Sequence, residues 1–225
     1  MDVRQIEEKL SAIAQEWGAD FVGFCRFEAA PSPLAPHLSY AVSLGVKLSD
    51  AVMATIGDAP TYIYFHHYRT ANFLLDQISF RLAREIEKMG FSAMPIAASQ
   101  SQGKEAPYEG VIPHKTAAVL AGLGYVGKNG LFIHPAFGSK IRLATVLTDI
   151  PLTPTAPVME NGCGDCQICK NACPAGAIFG ELPTEGGRNI DPEKCSRYMK
   201  EKFQHIGRGS VCGICITVCP KNGLK

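Results

Sequence analysis

Eight of the nine cysteines of this 225-residue chain fall in its last 63 residues, and their spacing is that of a ligand set. One string is Cys163-x₂-Cys166-x₂-Cys169-x₃-Cys173-Pro174, and the other is Cys195-x₁₆-Cys212-x₂-Cys215-x₃-Cys219-Pro220. The first is the thiolate run that holds a [4Fe–4S] cube, in which the fourth cysteine, the one before proline, ligates a neighbouring cluster. The chemistry implied is electron transfer. The same spacing implies a compartment that keeps thiols reduced.

The two strings are copies. Cys166, Cys169, Cys173 and Pro174 recur 46 residues later as Cys212, Cys215, Cys219 and Pro220, and Ile168 recurs as Ile214. A fixed offset of this kind marks an internal duplication. Gly209 stands where the second copy of Cys163 would be, and Cys195 is its replacement, on a helix expected over 191–205. A short loop wraps three corners of a cube, and the Cys-Pro residue reaches across to the other one. Cluster one is therefore expected to take Cys163, Cys166, Cys169 and Cys219, and cluster two Cys173, Cys195, Cys212 and Cys215. Disulfides are a poor alternative in a chain of this size without a secretory signal. Structural zinc could use two Cys-x₂-Cys pairs, but it does not account for four cysteines in one short run followed by proline. Cys25 lies in the apolar run Phe21-Val-Gly-Phe-Cys-Arg-Phe27 and reads as a buried, inert thiol.

These ligands need a framework. A helix is expected from about Asp2 to Trp17, with Val3, Ile6, Leu10, Ile13 and Trp17 at helical spacing and Gly18 as its stop. Strands follow at 19–25 and 40–48, a long helix at 61–89 and a third strand at 91–96. Residues 97–113 form a long polar loop, a helix covers 114–122, and strands are expected at 131–134 and 140–149. Pro151, Pro154 and Pro157 mark a linker. Strands and helices mix without βαβ alternation, so the fold class is α+β. Two domains are expected: 1–155, an α+β cofactor-binding domain, and 156–225, a double [4Fe–4S] ferredoxin-like domain.

The turn Gly122-Leu-Gly-Tyr-Val-Gly-Lys-Asn-Gly130 matches G-x-G-x-x-G, yet it follows a helix and precedes a strand, the reverse of the dinucleotide-binding context. It reads either as a backbone cradle, with Lys128, for a phosphate or amide-bearing cofactor, or as a tightly packed glycine corner. The segment Tyr62-Ile-Tyr-Phe-His-His-Tyr-Arg69 gathers three Tyr and two His. Adjacent histidines cannot share a helix face, so at most one of His66 and His67 could face a ligand. Net charge is +1, from 22 basic against 21 acidic residues, with no basic run to mark a nucleic-acid surface. No apolar stretch approaches the ~20 residues of a membrane span, and the amphipathic start MDVRQIEEKL is not a signal peptide. A cytoplasmic location in an anaerobic or microaerobic cell is expected.

The string His114-Lys-Thr-Ala-Ala-Val-Leu-Ala-Gly-Leu-Gly-Tyr-Val-Gly-Lys-Asn-Gly-Leu-Phe-Ile-His-Pro135, with Gly138-Ser139, Leu147-Thr-Asp149 and the first cysteine run, resembles the epoxyqueuosine reductases. Reductive dehalogenases share the arrangement. The resemblance implies a nitroreductase-like core that binds cobalamin and two [4Fe–4S] clusters that feed it low-potential electrons. FMN is the alternative organic cofactor. It implies Tyr68, His114, Gly122, Gly124, Gly127, Lys128, Asn129 and His134 as cofactor-binding candidates, in a cleft between core and clusters. With no D-x-H-x-x-G string to supply an imidazole, the cobalt should be base-off. The implied partners are a low-potential donor such as a ferredoxin or flavodoxin, and a small-molecule substrate or the corrinoid itself. The chain departs from the family where the tRNA-acting member carries an aspartate proposed as proton donor. Here Ser99-Gln-Ser-Gln-Gly103 has none, and Glu105, Tyr108 and Glu109 are the possible substitutes. The family's C-terminal helical repeats, which help grip tRNA, do not follow Cys219, so a substrate other than tRNA is expected. The expected function is an oxidoreductase; a non-catalytic electron carrier, a corrinoid-handling partner or a flavin-dependent reductase is the alternative.

Overall fold

The computed structural model describes residues 2–100, 103, 108–184, 188–209 and 211–223. The chain forms two compact units that interleave along the sequence. The first comprises Met1–Val46, Ala71–Leu123 and Arg142–Met159; the second comprises Lys47–Thr70, Gly124–Ile141 and Glu160–Lys225. Division into 1–155 and 156–225 follows chain order, whereas the unit that holds the cysteines also draws in two earlier segments.

The first unit is a mixed α/β body around a four-stranded sheet. Helix α1 (Val3–Glu16) starts at a capping box: the Asp2 carboxylate accepts from the Gln5 N–H at 2.8 Å, and the Gln5 side chain accepts from the Asp2 N–H at 3.1 Å. It buries Ile6, Leu10 and Ala14, while Trp17 just beyond it stacks under the Arg81 guanidinium at 5.5 Å. Strands β1 (Phe21–Arg26), β2 (Tyr40–Lys47), β3 (Ala93–Ile96) and β6 (Ile141–Thr148) lie in the order β1-β2-β6-β3. The β1–β2 and β3–β6 pairs are antiparallel. Helix α3 (Tyr62–Lys88) gives this unit its residues 71–88, and α4 (His114–Leu120) packs on the strands. Cys25 is fully buried with Phe27, Leu38, Ile96, Ile112 and Leu147, and burial pushes its thiol up to about 12. It is the inert core cysteine that its apolar run implies.

The second unit has little regular structure. Helix α2 (Asp50–Met53) and the start of α3 stand with a short hairpin, β4 (Tyr125–Val126) paired to β5 (Phe132–Ile133). Beyond it come α5 (Ile168–Ala172), α6 (Pro192–Phe203), α7 (Ile214–Thr217) and a 3₁₀ turn at Pro220–Asn222. Helix α6 is capped by Asp191, whose carboxylate accepts from the Lys194 N–H at 2.9 Å, and has proline in its first turn. The Lys140 ammonium, almost wholly buried, pairs with Asp50, and the two lysines that donate to it hold the Asp50 carboxyl below its ordinary range. No helix among the described residues is long and apolar enough to cross a membrane.

The strands expected at 19–25, 40–48, 91–96 and 140–149 form within two residues of those bounds. The expected 131–134 strand is shorter, and its partner lies inside the glycine-rich turn, which is therefore a hairpin. Gly45 of β2 faces Phe21 of β1 across the sheet, and a Cβ there would stand 1.8 Å from the ring. Gly45→Ala should therefore cost about 1–3 kcal/mol by overpacking and lower the thermal midpoint. In a Phe21→Ala background the same change should cost almost nothing. An equal loss in both backgrounds would show that the ring contact is not the cause.

Candidate metal centre

The two cysteine runs are built alike. Cys163 follows Asn161, whose side chain accepts from the Cys163 N–H at 2.9 Å and donates to the Val126 carbonyl at 2.6 Å. That pair of bonds ties the run to the β4–β5 hairpin. Cys169 lies on α5 and Cys215 on α7, with Cys173 and Cys219 just past the respective helices. A residue before proline is pushed to extended backbone. Cys173 (φ −73°, ψ 108°) and Cys219 (φ −70°, ψ 120°) both obey, so each carries its sulfur away from the helix that precedes it.

The consequence is a sorting of the eight sulfurs. Cys163, Cys166, Cys169 and Cys219 line one cavity, with Lys128, Asn129, Ile133, Pro220 and Lys221. Cys173, Cys195, Cys212 and Cys215 line another, whose remaining wall is mostly apolar: Leu131, Ala177, Ile178, Ile190, Met199 and Ile214 among others. Cys195 reaches it from α6. Asn129 lies in the wall of both cavities. Its amide N–H donates to the Cys215 carbonyl at 3.4 Å and its amide oxygen accepts from the Leu131 N–H at 3.1 Å. Among the described residues no three His, Cys, Asp or Glu side chains close on one point as ligands of a single metal ion. Thiolates that bind four irons of one cube stand further apart than that.

The electrostatics of the cavities suit a cationic metal core. Burial pushes the Cys169, Cys212 and Cys219 thiols up, and Cys195 reaches about 11. Cys215 is pushed up furthest, again by burial first and then by Cys212, Cys195 and Cys173. Cys169 is raised further by Cys219, Cys163 and Cys166. Each thiol thus opposes ionisation of its neighbours. Thiolates are nonetheless what iron binds, and the metal charge offsets both penalties. The donor set fits two four-thiolate clusters.

The candidates for an organic cofactor have other occupations. His114 has both ring nitrogens engaged: Nε2 lies 3.0 Å from the Ala97 carbonyl, which can only accept, and Nδ1 lies 2.8 Å from the Thr145 hydroxyl. Burial lowers its pKa, so it is a neutral core imidazole with no nitrogen to offer. His134 Nδ1 accepts from the Ala136 N–H at 3.1 Å, and its ring stacks on Phe137. Tyr68 meets Tyr64 edge-on. A Cβ on Gly122 would strike the Ala156 carbonyl at 2.5 Å, one on Gly124 the Ile133 carbonyl at 2.1 Å, and one on Gly127 the Ile133 side chain at 2.4 Å. These glycines admit the chain's own atoms. Gly127 also lies against Cys163 Sγ, 3.3 Å from where its Cβ would be, and Lys128 and Asn129 line the sulfur cavities. Of the proposed proton donors, Tyr108 and Glu109 are exposed, and Glu105 lies outside the described residues.

Sequence reading missed Ser139, Asn161, Asn189 and Asn222. Asn189 donates to the Gly127 carbonyl at 2.8 Å, and Asn222 accepts from the Ser139 N–H at 3.0 Å. The only signal available was a small polar residue placed two or three positions from a cysteine or in a glycine turn.

Residues 162–222 match the 4Fe–4S double cluster binding domain. Over 122 residues, half of this chain, the sequence is 36% identical to the epoxyqueuosine reductase of Staphylococcus aureus, covering 30% of that protein. Over 153 residues it is 33% identical to the tetrachloroethene reductive dehalogenase of Sulfurospirillum multivorans, covering 62% of this chain and 27% of the relative. A solved reductive dehalogenase, described as suggesting a mechanism for B12-dependent dehalogenation, superposes on the whole chain with a TM-score of 0.82 at 26% identity, using 32% of its own length. The chain thus spans about a third of the length of these relatives. It carries a double [4Fe–4S] cluster binding domain and is a homologue of both the epoxyqueuosine reductases and the reductive dehalogenases.

Proposed function

We propose that this protein is an iron–sulfur reductase unit in which two [4Fe–4S] clusters are held by crossed sets: Cys163, Cys166, Cys169 and Cys219 for one, Cys173, Cys195, Cys212 and Cys215 for the other. The observation that carries this reading is the lining of two cavities by four cysteines each. Such clusters supply one-electron transfer, at potentials that reach the low end of a range of about −700 to +450 mV. The chain's own part is to hold eight sulfurs, to keep the second cavity apolar, and to close both with Asn129. The electrons come from a ferredoxin or flavodoxin. The acceptor we propose is a corrinoid, and the core a nitroreductase-like one. Likeness to a dehalogenase described as B12-dependent supports this acceptor, and nothing comparable supports FMN. The final substrate is a small molecule.

Protein purified without oxygen should contain about eight irons and eight sulfides, the content of two cubes. Cys219→Ala should then leave the same residual reduced-state EPR signal as Cys163→Ala. If it instead matches Cys212→Ala, its neighbour in the chain, the ligand sets are not crossed. Zinc in place of iron would overturn the function altogether.

Titration with cob(II)alamin, followed by EPR of the cobalt, tests the acceptor. Binding at or below tens of micromolar, with no nitrogen superhyperfine splitting from a histidine, is expected. The absence of binding in that range would remove the corrinoid while leaving the cluster reading intact.

A further inference from the structure

Among the described residues the two sulfur cavities share one wall residue, Asn129. Lys128 and Lys221 line the first cavity and Tyr198 the second, so those polar side chains each belong to one side. Asn129 is 4% exposed and sits in the turn of the β4–β5 hairpin. That turn is pinned from both sides. A Cβ on Gly127 would stand 2.4 Å from Ile133 Cδ1 and 3.3 Å from Cys163 Sγ, both in the wall of the first cavity. One on Gly130 would stand 2.9 Å from Ile190 Cγ2, in the wall of the second. Asn189 closes the turn by donating to the Gly127 carbonyl at 2.8 Å.

The Asn129 amide has a fixed direction. Its oxygen accepts from the Leu131 N–H at 3.1 Å, the bond to a backbone group two residues on that asparagine favours in turns. Its nitrogen donates to the Cys215 carbonyl at 3.4 Å. A backbone N–H can only donate and a carbonyl can only accept, so the two partners together exclude the flipped amide. The oxygen also lies 3.1 Å from the point where a Gly127 Cβ would stand, the same point that Cys163 Sγ approaches. The negative end of the amide dipole therefore lies on the side of the first cavity, and the positive N–H end faces a ligand loop of the second.

We infer that Asn129 sets part of the difference in potential between the two centres: its amide dipole makes the second centre easier to reduce and the first harder. The inference rests on the reading that each cavity holds a [4Fe–4S] cluster. Reduction adds one negative charge to a centre. The positive end of a dipole stabilises that charge and the negative end opposes it. A side-chain amide carries such a dipole, and it acts strongly where little water screens it. The groups packed around a cluster are among the terms that set its potential. A single dipole placed between two centres then moves their potentials in opposite directions. It biases the electron toward the centre held by Cys173, Cys195, Cys212 and Cys215, whatever Lys128, Lys221 and Tyr198 add.

EPR-monitored redox titration of the protein purified without oxygen tests this, with the first centre identified as the signal abolished by Cys163→Ala and the second as that abolished by Cys212→Ala. In Asn129→Leu the equilibrium constant for moving an electron from the first centre to the second should fall about tenfold, a change of about 59 mV in the difference between the midpoints. The first midpoint should rise and the second fall. Asn129→Ser keeps an oxygen for the Leu131 N–H but has no N–H end toward Cys215, so there the second midpoint should fall and the first should stay near wild type. Full iron content in Asn129→Leu with an unchanged difference, or with both midpoints shifted in one direction, overturns the inference while leaving the cluster reading standing. Wild-type protein without iron fails that reading instead. Should Asn129→Leu lose iron from either centre, Asn129→Ser decides. A fall confined to the second midpoint supports the dipole, whereas any other result there, loss of iron included, assigns Asn129 a packing role and overturns the inference.

Discussion

Four thiols gathered into one poorly solvated cavity repel one another as soon as they ionise, and the second unit does this twice. Every shifted cysteine among the eight is shifted upward, with burial as the leading cause and neighbouring sulfurs behind it. Left to itself such an arrangement is a source of instability. A metal core of positive charge reverses the sign, because the low dielectric that penalises a lone thiolate strengthens its attraction to iron. The local structure shows how little else holds the cysteine segment. Helix α5 buries none of its five residues, α6 buries only Phe203 and α7 only Ile214. Burial of one apolar side chain stabilises by roughly 1.5–3 kcal/mol, which is small against the entropy of ordering the surrounding chain. Metal binding therefore adds folding energy in this unit.

The rest of the unit supplies what the cysteine segment lacks, which is a set of fixed polar anchors. Asn161, Asn189, Asn129 and Asn222 each bond backbone groups far away in sequence. A side-chain amide offers donors and an acceptor from one short group, so it can clamp two chain segments without a hydrophobic interface. The β4–β5 hairpin receives three of these four residues' bonds or contains them. That is why segments 124–141 and 160–225 form one compact body although a strand of the other unit's sheet separates them in the chain.

What the sequence made legible followed local rules. The Ile6–Leu10 spacing and the Gly18 stop define α1, and the apolar run over β2 defines a buried strand, because each is decided by neighbours a few residues away. The cysteine spacing and the Cys-Pro pairs were equally plain, since proline acts on the residue directly before it. What escaped depends on contacts between distant residues. Nothing at Ser139 announces that Asn222, 83 positions on, will accept from it. Nothing at Asn129 announces Cys215. The interleaving of the two units escaped for the same reason: proline-rich 151–157 reads as a boundary, but the returns at Lys47 and Gly124 are set by packing.

The glycine-rich turn carries the clearest lesson about motif reading. Its spacing resembles a phosphate loop, and its place beside the clusters invited an organic cofactor. Gly122, Gly124 and Gly127 are nevertheless filled by Ala156, Ile133 and, at Gly127, Cys163 Sγ just beyond. A glycine marks close approach of something, and here the something is the protein's own backbone and a cluster sulfur. Lys128 and Asn129, the polar residues that follow, sit in the sulfur cavities. A turn so committed cannot be loosened for a second ligand without disturbing Cys163, whose N–H is fixed through Asn161 to the Val126 carbonyl inside the same hairpin. The A-G-L-G-x-x-G-K-N string is accounted for by the close packing of the hairpin on its own backbone and beside the first sulfur cavity.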